Sequence, residues 1–341
     1  MTALIYSEEF MKHDPGRSHP ENPWRLRAIV ETLKKEKMWY SPEVQVTPPS
    51  PASVEDLQLV HDPSYVRLVE KMSESGTPLD LDTPTPPGTF GIALLAVGGA
   101  IDAGEGVVSG KWNNAFALLR PPGHHACRVR GGGFCYFNNV AVMVEKLKRN
   151  FNMKRIMILD LDAHHGNGTQ DIFYEDPSVL YLSFHQDPRT LYPGCGFIHE
   201  LGSGDGEGFN VNVPFPPGSG DPDYAFAIEE IFLPLSEIFK PEFIAVSVGF
   251  DPLAEDPLTQ LQLSPSAYGW LTGHVVKQAE HLCGGKVVFV LEGGYALEVI
   301  GEAAANLTKA LVGREFASPP EHRRLPVIGE LKRLLAKYWS M

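Results

Sequence analysis

Five apolar runs of strand length, most of them continuous and separated by longer segments of helical periodicity, constrain the fold of this chain most strongly. The runs cover residues 115–119, 156–159, 179–183, 243–248 and 287–291, and the helical segments cover 90–104, 140–150, 224–239, 265–282 and 296–311. Because the runs do not alternate between apolar and polar residues, we expect strands that are buried on both faces. Strand–helix alternation then predicts an α/β fold with a mainly parallel central sheet and helices on both faces.

The length of 341 residues admits two domains, but no linker divides the chain. The proline-rich stretches 47–51 and 83–88 are short and typical of loops within one domain, and a last helical segment is expected at 328–338. We therefore predict a single domain over residues 1–341. A hydrophobic fraction of 43% suffices for a large core and excludes disorder as the main state.

The net charge and the spacing of the cysteines limit the classes of partner and the cellular compartment that we expect. The net charge of −13 disfavours a nucleic-acid partner and favours a cationic substrate. We find no apolar run of about 20 residues and no signal peptide at the N-terminus, so no membrane partner is expected. The 4 cysteines lack C-x-x-C spacing, which predicts neither a disulfide framework nor a zinc knuckle. The protein is expected to be cytoplasmic. The oligomeric state stays open, with a homo-oligomer as one alternative.

Polar groups and glycines follow four of the predicted strands. Strand 115–119 runs into Arg-Pro-Pro-Gly-His-His, strand 156–159 into Asp-Leu-Asp-Ala-His-His-Gly-Asn-Gly, strand 243–248 into Gly-Phe-Asp, and strand 287–291 into Glu-Gly-Gly-Tyr. Ligands of open parallel sheets bind beyond the carboxyl ends of the strands. We therefore expect the four endings to converge on one site.

The second of these endings has the spacing of a metal site. Asp160, Asp162 and His164 alternate, so an extended backbone would place them on one face. A catalytic zinc needs three protein ligands and one open position, which predicts Asp162 and His164 together with Asp251. Asp160 would then orient a neighbouring histidine. Taken alone, Asp251 is better explained as a cap or turn residue. Iron(II), manganese and cobalt stay open beside zinc.

The adjacent residues His124 and His125 are candidates for acid–base catalysis. A neutral imidazole can take a proton from water and return it to a leaving amine. Gly123 would let the loop bend so that both rings reach one pocket. Asp160 and Asn167 are candidate partners for the second ring nitrogens. The alternative is a pair of solvated loop histidines.

Tyr295 follows two glycines and could donate a hydrogen bond to a developing oxyanion, although a tyrosine at this position alone is more often at the edge of a core. The glycines at 131–133 lack the sequence pattern of a phosphate-binding loop. We interpret them as a pocket wall at which a ligand can come close to the backbone, with Phe134 as an aromatic face. The residues by themselves predict a metal-dependent hydrolase that attacks a carbonyl, as in amide hydrolysis.

The quoted motifs resemble the histone deacetylase family over most of the chain, from His-Pro-Glu at 19–21 to Gly-Tyr at 294–295. The residue sequences of the two histidine motifs are similar to those of class II members and of prokaryotic relatives, including acetylpolyamine amidohydrolases. The resemblance implies the arginase-deacetylase fold in one domain and a catalytic zinc on Asp162, His164 and Asp251.

The resemblance also implies roles for the other polar residues. His125 matches the general base and acid of the family, and His124 matches an electrostatic partner that is paired with Asp160. Asn167 stands where class I members carry a second aspartate. Tyr295 matches the tyrosine that polarises the scissile carbonyl, which argues for catalytic activity.

The substrate tunnel of the family would be lined here by Gly133, Phe134 and Tyr192, where most members carry phenylalanine at the last position. Asp82 matches a rim aspartate that binds substrate backbone. Leu258 matches a rim position that is leucine in lysine deacetylases and glutamate in a polyamine-selective relative. This difference favours an acyl-lysine substrate.

Structural potassium is implied at two sites. The first would use the side chains of Asp160 and Ser183 with the main-chain oxygens of Asp160, Asp162, His164 and Phe184. The second, less secure, would use the main-chain oxygens of Phe173, Asp176, Val179 and Phe209. The leading hypothesis is thus a zinc-dependent deacylase acting on acyl-lysine in peptides or proteins. The alternatives are an acetylpolyamine or other small-amine amidohydrolase and a non-catalytic acyl-lysine binding module.

Overall fold

The computed structural model describes residues 1–340 and contains one parallel sheet of 8 strands in the order β2-β1-β3-β8-β7-β4-β5-β6. The strands are β1 Thr2–Ile5, β2 Val44–Thr47, β3 Asn114–Ala117, β4 Ile156–Asp160, β5 Val179–Gln186, β6 Asn210–Phe215, β7 Phe243–Val248 and β8 Val287–Leu291. The predicted α/β fold with a parallel sheet is confirmed. Residue 341, the last of the predicted domain, lies outside the described residues.

Three strands were not predicted, and their sequences explain why. β2 reads Val-Gln-Val-Thr and β6 reads Asn-Val-Asn-Val-Pro-Phe, so neither is a continuous apolar run. Both lie at the edges of the sheet, where polar residues and proline are tolerated. β1 is buried but only 4 residues long.

The helices agree in position with most of the predicted segments. They are α1 Trp24–Lys35, α2 Val54–Leu57, α3 Pro63–Ser75, α4 Thr89–Val108, α5 Asn139–Phe151, α6 Asn167–Phe173, α7 Asp221–Ala227, α8 Leu233–Phe239, α9 Ala267–Cys283, α10 Ile300–Leu311 and α11 Pro326–Leu335. A π-helical turn at Ile228–Phe232 joins α7 to α8. The prediction missed α1, α2, α3 and α6, and it began α10 four residues too early.

Helices cover the sheet in two groups. α4 and α5 pack together against the central strands, and α9 and α10 pack together with α1 outside α10. All residues of β4, β7 and β8 are buried. The sheet therefore carries helices on both faces, which explains why its central strands β4, β7 and β8 are almost entirely apolar.

The expectation that no segment is long and apolar enough to cross a membrane is wrong for α4. Thr89–Val108 meets that criterion by length and composition, but most of it is buried within the fold. It packs against α5 and β3, so it serves here as a core helix. Its Gly98 and Gly99 explain the close packing, because a Cβ would lie 1.8 Å from Ser50 O and 2.6 Å from Leu119 Cδ2, respectively.

The strand order brings the four motif-bearing strands side by side. β3, β8, β7 and β4 are consecutive neighbours in the middle of the sheet, and all their pairings are parallel. Their carboxyl ends therefore meet at one edge, as expected for a site of this fold type.

Candidate metal centre and active site

Asp162, His164 and Asp251 form a buried cluster at this edge, with ligand atoms that all lie within 4.8 Å of one another. His164 Nδ1 lies 2.8 Å from Asp251 Oδ2 and 3.2 Å from Asp162 Oδ1. Asp162 and His164 follow β4, and Asp251 follows the adjacent β7. The predicted three-residue set is thus brought together.

Backbone N–H groups hold both carboxylates of the cluster in place. Gly293 donates to Asp162 Oδ2 at 2.8 Å, and Ala163 donates to Asp251 Oδ1 at 2.8 Å. At Gly293, a Cβ would lie 2.5 Å from Asp251 Oδ2, so only glycine allows this approach. These contacts orient one oxygen of each carboxylate toward His164.

The chemistry of this cluster fits a divalent cation. Burial and the negative charge of Asp162 raise the pKa of Asp251 to about 7. Two fully buried carboxylates and the imidazole nitrogen of a largely buried histidine converge here, where unpaired anions are costly. A cation bound by all three removes this cost. Two oxygens and one nitrogen suit zinc and also other divalent transition metals.

His124 lies behind the cluster, paired with Asp160. Its Nδ1 is 3.1 Å from Asp160 Oδ2, and the same oxygen accepts a hydrogen bond from the Tyr181 hydroxyl at 3.0 Å. Burial opposes the charged form of His124, but the negative charges of Asp162 and Asp160 outweigh it and raise its pKa to about 10. His124 is therefore cationic at neutral pH in this environment.

His125 has the opposite character. Its Nδ1 lies 2.7 Å from Asn167 Oδ1, so the amide oxygen accepts the Nδ1 proton and Nε2 carries the free lone pair. Burial lowers the pKa of His125 well below its usual range, and repulsion from His124 adds to this. The two adjacent rings, with centroids 4.0 Å apart, thus differ in protonation.

A tunnel of about 220 Å³ leads from the surface to these groups. Its walls contain His125, His164, Phe134, Tyr192 and Tyr295. The ring of Tyr295 packs against that of Phe134 with centroids 5.8 Å apart, and the ring of Tyr192 packs against that of His125 at 5.0 Å. Burial raises the pKa of Tyr295 well above its usual value, so its hydroxyl stays a donor.

The glycine wall and the rim of this tunnel are also in the predicted places. Gly133 has φ +54° and a Cβ there would lie 2.5 Å from His125 Cδ2, so glycine allows the loop to press against the histidine. Asp82 is exposed and Leu258 is half-buried, and both line the mouth. All five residues expected to line the tunnel therefore lie around it.

The residues expected at the first potassium site are neighbours across two strands. Asp160 and Ser183 are paired in the register of β4 and β5. Ser183 Oγ also lies 2.8 Å from His185 Nδ1. At the second expected site, the carbonyls of Phe173, Asp176 and Phe209 each accept one backbone hydrogen bond, which leaves each a second lone pair.

Comparison with known proteins decides the family. The profile described as "Histone deacetylase domain" matches residues 19–311. This chain belongs to the histone deacetylase family.

Several relatives and one solved structure accompany this match. A probable deacetylase of Archaeoglobus fulgidus is 42% identical over 100% of this chain and 99% of that protein. A histone deacetylase-like amidohydrolase of Pseudomonas aeruginosa is 40% identical over 82% of this chain and 73% of its own length. The crystal structure of the HDA15 HD domain superposes with a TM-score of 0.92 at 34% identity, covering 99% of this chain and 95% of that one. Membership of this histone deacetylase family implies hydrolase activity.

A buried charge network that was not predicted from the sequence lies beside the site of this histone deacetylase-family chain. Arg25 donates to the carbonyls of Glu292 and Gly294 at 2.5 Å each, and its guanidinium lies 4.9 Å from the ring centroid of Tyr295. Glu21 Oε1 forms ion pairs with Arg25 Nη1 at 2.9 Å and with Arg120 Nε at 2.5 Å. In the sequence, this network is indicated only by charged residues that occur within otherwise apolar or turn-forming segments. Their positions in the sequence do not identify their partners.

Proposed function

We propose that this protein is a zinc-dependent deacylase that hydrolyses the amide of acetyl-lysine or another acyl-lysine in peptides or proteins. The observation that carries the proposal is the shared tunnel. It contains the free Nε2 side of His125, the edge of the Asp-His-Asp cluster and the side chain of Tyr295. The family membership supports hydrolysis, and these groups supply the parts that amide hydrolysis needs.

The residues of the chain divide the reaction between them. His125 takes a proton from the attacking water at Nε2, and Asn167 keeps the ring in the tautomer that allows this. His125 then protonates the leaving amine. Tyr295 donates a hydrogen bond to the carbonyl oxygen as negative charge develops, and His124 adds positive charge beneath the site.

Asp162, His164 and Asp251 would hold the zinc, which supplies Lewis acidity and lowers the pKa of water. Asp160, Ser183 and Phe184, with main-chain oxygens of Asp162 and His164, would hold a structural potassium ion. This ion would stabilise the turn that follows β4, on which the zinc ligands stand. The two ions together would fix the geometry of the cluster.

The shape of the mouth supports acyl-lysine within a polypeptide. Tyr192 and Phe134 form aromatic walls that suit an alkyl chain. Leu258 offers no charge at the rim to bind a second amine. An open groove of about 580 Å³ shares His125 and Tyr192 with the tunnel, and a second groove of about 680 Å³ with several prolines meets the first one at Asp80. Both provide room for residues that flank the acyl-lysine.

The proposal is tested by comparing hydrolysis rates on an acetyl-lysine peptide and on acetylated diamines, with the apoprotein reloaded by zinc. A higher kcat/KM for the peptide is expected. Faster turnover of the diamine would assign the site to small amines, and absence of turnover on a broad acyl panel by metal-loaded protein would indicate a binding module.

The four cysteines are all free, which supports a reducing compartment such as the cytoplasm.

A further inference from the structure

Glu292 is a fully buried carboxylate to which the mechanism above assigns no role. It is the first residue after β8. Its Oε2 accepts hydrogen bonds from the backbone N–H groups of Gly123 at 2.7 Å and His124 at 3.1 Å. Its Oε1 accepts a hydrogen bond from the Ser247 hydroxyl at 3.2 Å.

These contacts are made by neutral donors, which makes the burial of this group costly. Arg25 reaches the main-chain oxygen of Glu292 rather than its carboxylate. A buried carboxylate that lacks a bonded cation destabilises a fold relative to an apolar side chain of the same size. The observation that matters here is where its two oxygens point: one accepts from the backbone of the histidine turn and the other accepts from Ser247.

The two N–H groups belong to the turn that presents both histidines. That turn is also confined on its other side, because a Cβ at Gly123 would lie 2.5 Å from Asn139 N and 2.8 Å from Phe137 O. Glu292 adds a side-chain contact between this turn and the end of β8.

The loop after Glu292 carries the opposite wall of the tunnel. Gly293 donates to Asp162 Oδ2, and Tyr295 N donates to Asp256 Oδ2 at 2.8 Å. Glu292 therefore ties the loop of the general base to the loop that supports a metal ligand and presents the tyrosine. It is the side-chain link between the ends of β3 and β8, which are neighbouring strands.

We propose that Glu292 is a positioning residue that fixes the separation of His125 and Tyr295 across the tunnel. This inference rests on the proposed function, because the separation matters only if both residues act on one amide. This positioning role requires a side chain long enough to contact the histidine turn and an acceptor oxygen at its end. It does not require a negative charge. Catalysis is sensitive to this separation, since a displacement of about 1 Å can cost on the order of 10²-fold in rate.

Two substitutions separate reach from charge. Glu292→Gln keeps the length and one carbonyl oxygen but removes the charge. Glu292→Asp keeps the charge but shortens the side chain by one C–C bond, about 1.5 Å. We expect kcat on an acetyl-lysine peptide to fall less than about fivefold in the glutamine variant and on the order of 10²-fold in the aspartate variant, with KM and bound zinc unchanged in both.

Ser247→Ala is the matched control, because it removes a hydrogen bond to the same carboxylate without touching the histidine turn. It should retain kcat within about threefold. A glutamine variant as impaired as the aspartate variant would assign the effect to charge and overturn the proposal. So would an aspartate variant with the kcat of the unchanged protein.

Amide hydrogen exchange of a peptic fragment covering residues 120–127 gives a readout that needs no turnover. Exchange at Gly123 and His124 should be faster in Glu292→Asp than in the unchanged protein, and unchanged in Ser247→Ala and Glu292→Gln. Unaltered exchange in the aspartate variant would overturn the positioning role even if no substrate were found. Accelerated exchange without turnover on any substrate would instead contradict only the proposed function.

Discussion

His125 Nδ1 lies 2.7 Å from Asn167 Oδ1, so an amide and not a carboxylate orients the candidate general base. An amide oxygen fixes the tautomer without adding negative charge. His125 thereby keeps the low pKa that burial gives it and is neutral at pH 7. His124, beside it, is paired with the carboxylate of Asp160 and is charged.

Replacement of Asn167 by alanine is predicted to lower kcat about 10- to 100-fold, because the tautomer of His125 is no longer fixed. Steady-state kinetics on an acetyl-lysine peptide measure this loss. Asn150→Ala, an exposed asparagine on α5, is the control and should have unchanged kcat. Equal activity of both variants would remove Asn167 from the mechanism.

Replacement of Asn167 by aspartate is predicted to shift the acid limb of the pH profile of kcat/KM to higher pH. A negative charge next to His125 favours the imidazolium, raises the pKa, and so leaves less neutral base at a given pH. The profile between pH 5 and 8 tests this. A shift toward lower pH would contradict the assignment of His125 as the base.

Tyr295→Phe is predicted to lower kcat on the order of 10²–10³-fold, because one oxyanion donor is lost. The amount of bound metal should not change, since Tyr295 is not a member of the Asp-His-Asp cluster. Tyr40→Phe, at an exposed tyrosine, provides the control. Near-full activity of Tyr295→Phe would exclude the proposed oxyanion donor.

Leu258→Glu is predicted to raise the ratio of kcat/KM for an acetylated diamine to that for a peptide by about tenfold, or about 1.4 kcal/mol. The reason is that a carboxylate at the mouth attracts the second ammonium group of the diamine. Leu258→Gln, similar in size but neutral, should leave the ratio within about twofold. An effect of equal size in both variants would point to shape rather than charge.

Acid is predicted to destabilise the fold through His61. Burial lowers the pKa of this histidine to about 4, and its ring accepts a hydrogen bond from Asn138 N at 2.9 Å, which protonation would remove. Between pH 6.5 and 4 the unfolded chain takes up a proton that the folded protein does not. The free energy of unfolding therefore falls with falling pH, by at most about 1.4 kcal/mol per pH unit for this group.

Urea unfolding at several pH values measures this slope. His61→Gln should have a shallower dependence on pH in the same window, even if it is less stable at neutral pH. A slope that does not differ between the two proteins would show that His61 is not responsible.

The sequence predicted the centre of the fold better than its periphery. β4, β7 and β8 are buried on both faces, so their apolar runs mark them directly. β2 and β6 lie at the edges of the sheet and contain polar residues, so these two strands could not be recognised from the sequence. The convergence of Asp251 with Asp162 and His164 could be predicted because neighbouring parallel strands end at one edge.

Contacts between loops could not be predicted, because they depend on tertiary packing. The main-chain acceptors of Arg25 and the backbone donors to Glu292 lie more than 160 residues away along the chain. Gly123 is instructive in the same way. It was expected to permit a bend, yet its φ is not in the left-handed region, and the glycine is needed because Asn139 and Phe137 press against it.

Titration of the apoprotein with zinc, followed by hydrolysis of an acetyl-lysine peptide, tests the central claim most directly. We predict that turnover rises linearly and stops rising at one equivalent, and that Asp251→Asn protein shows neither binding nor turnover in the same range. Hydrolysis that is independent of added metal, or a Asp251→Asn variant that behaves like the unchanged protein, would contradict the account.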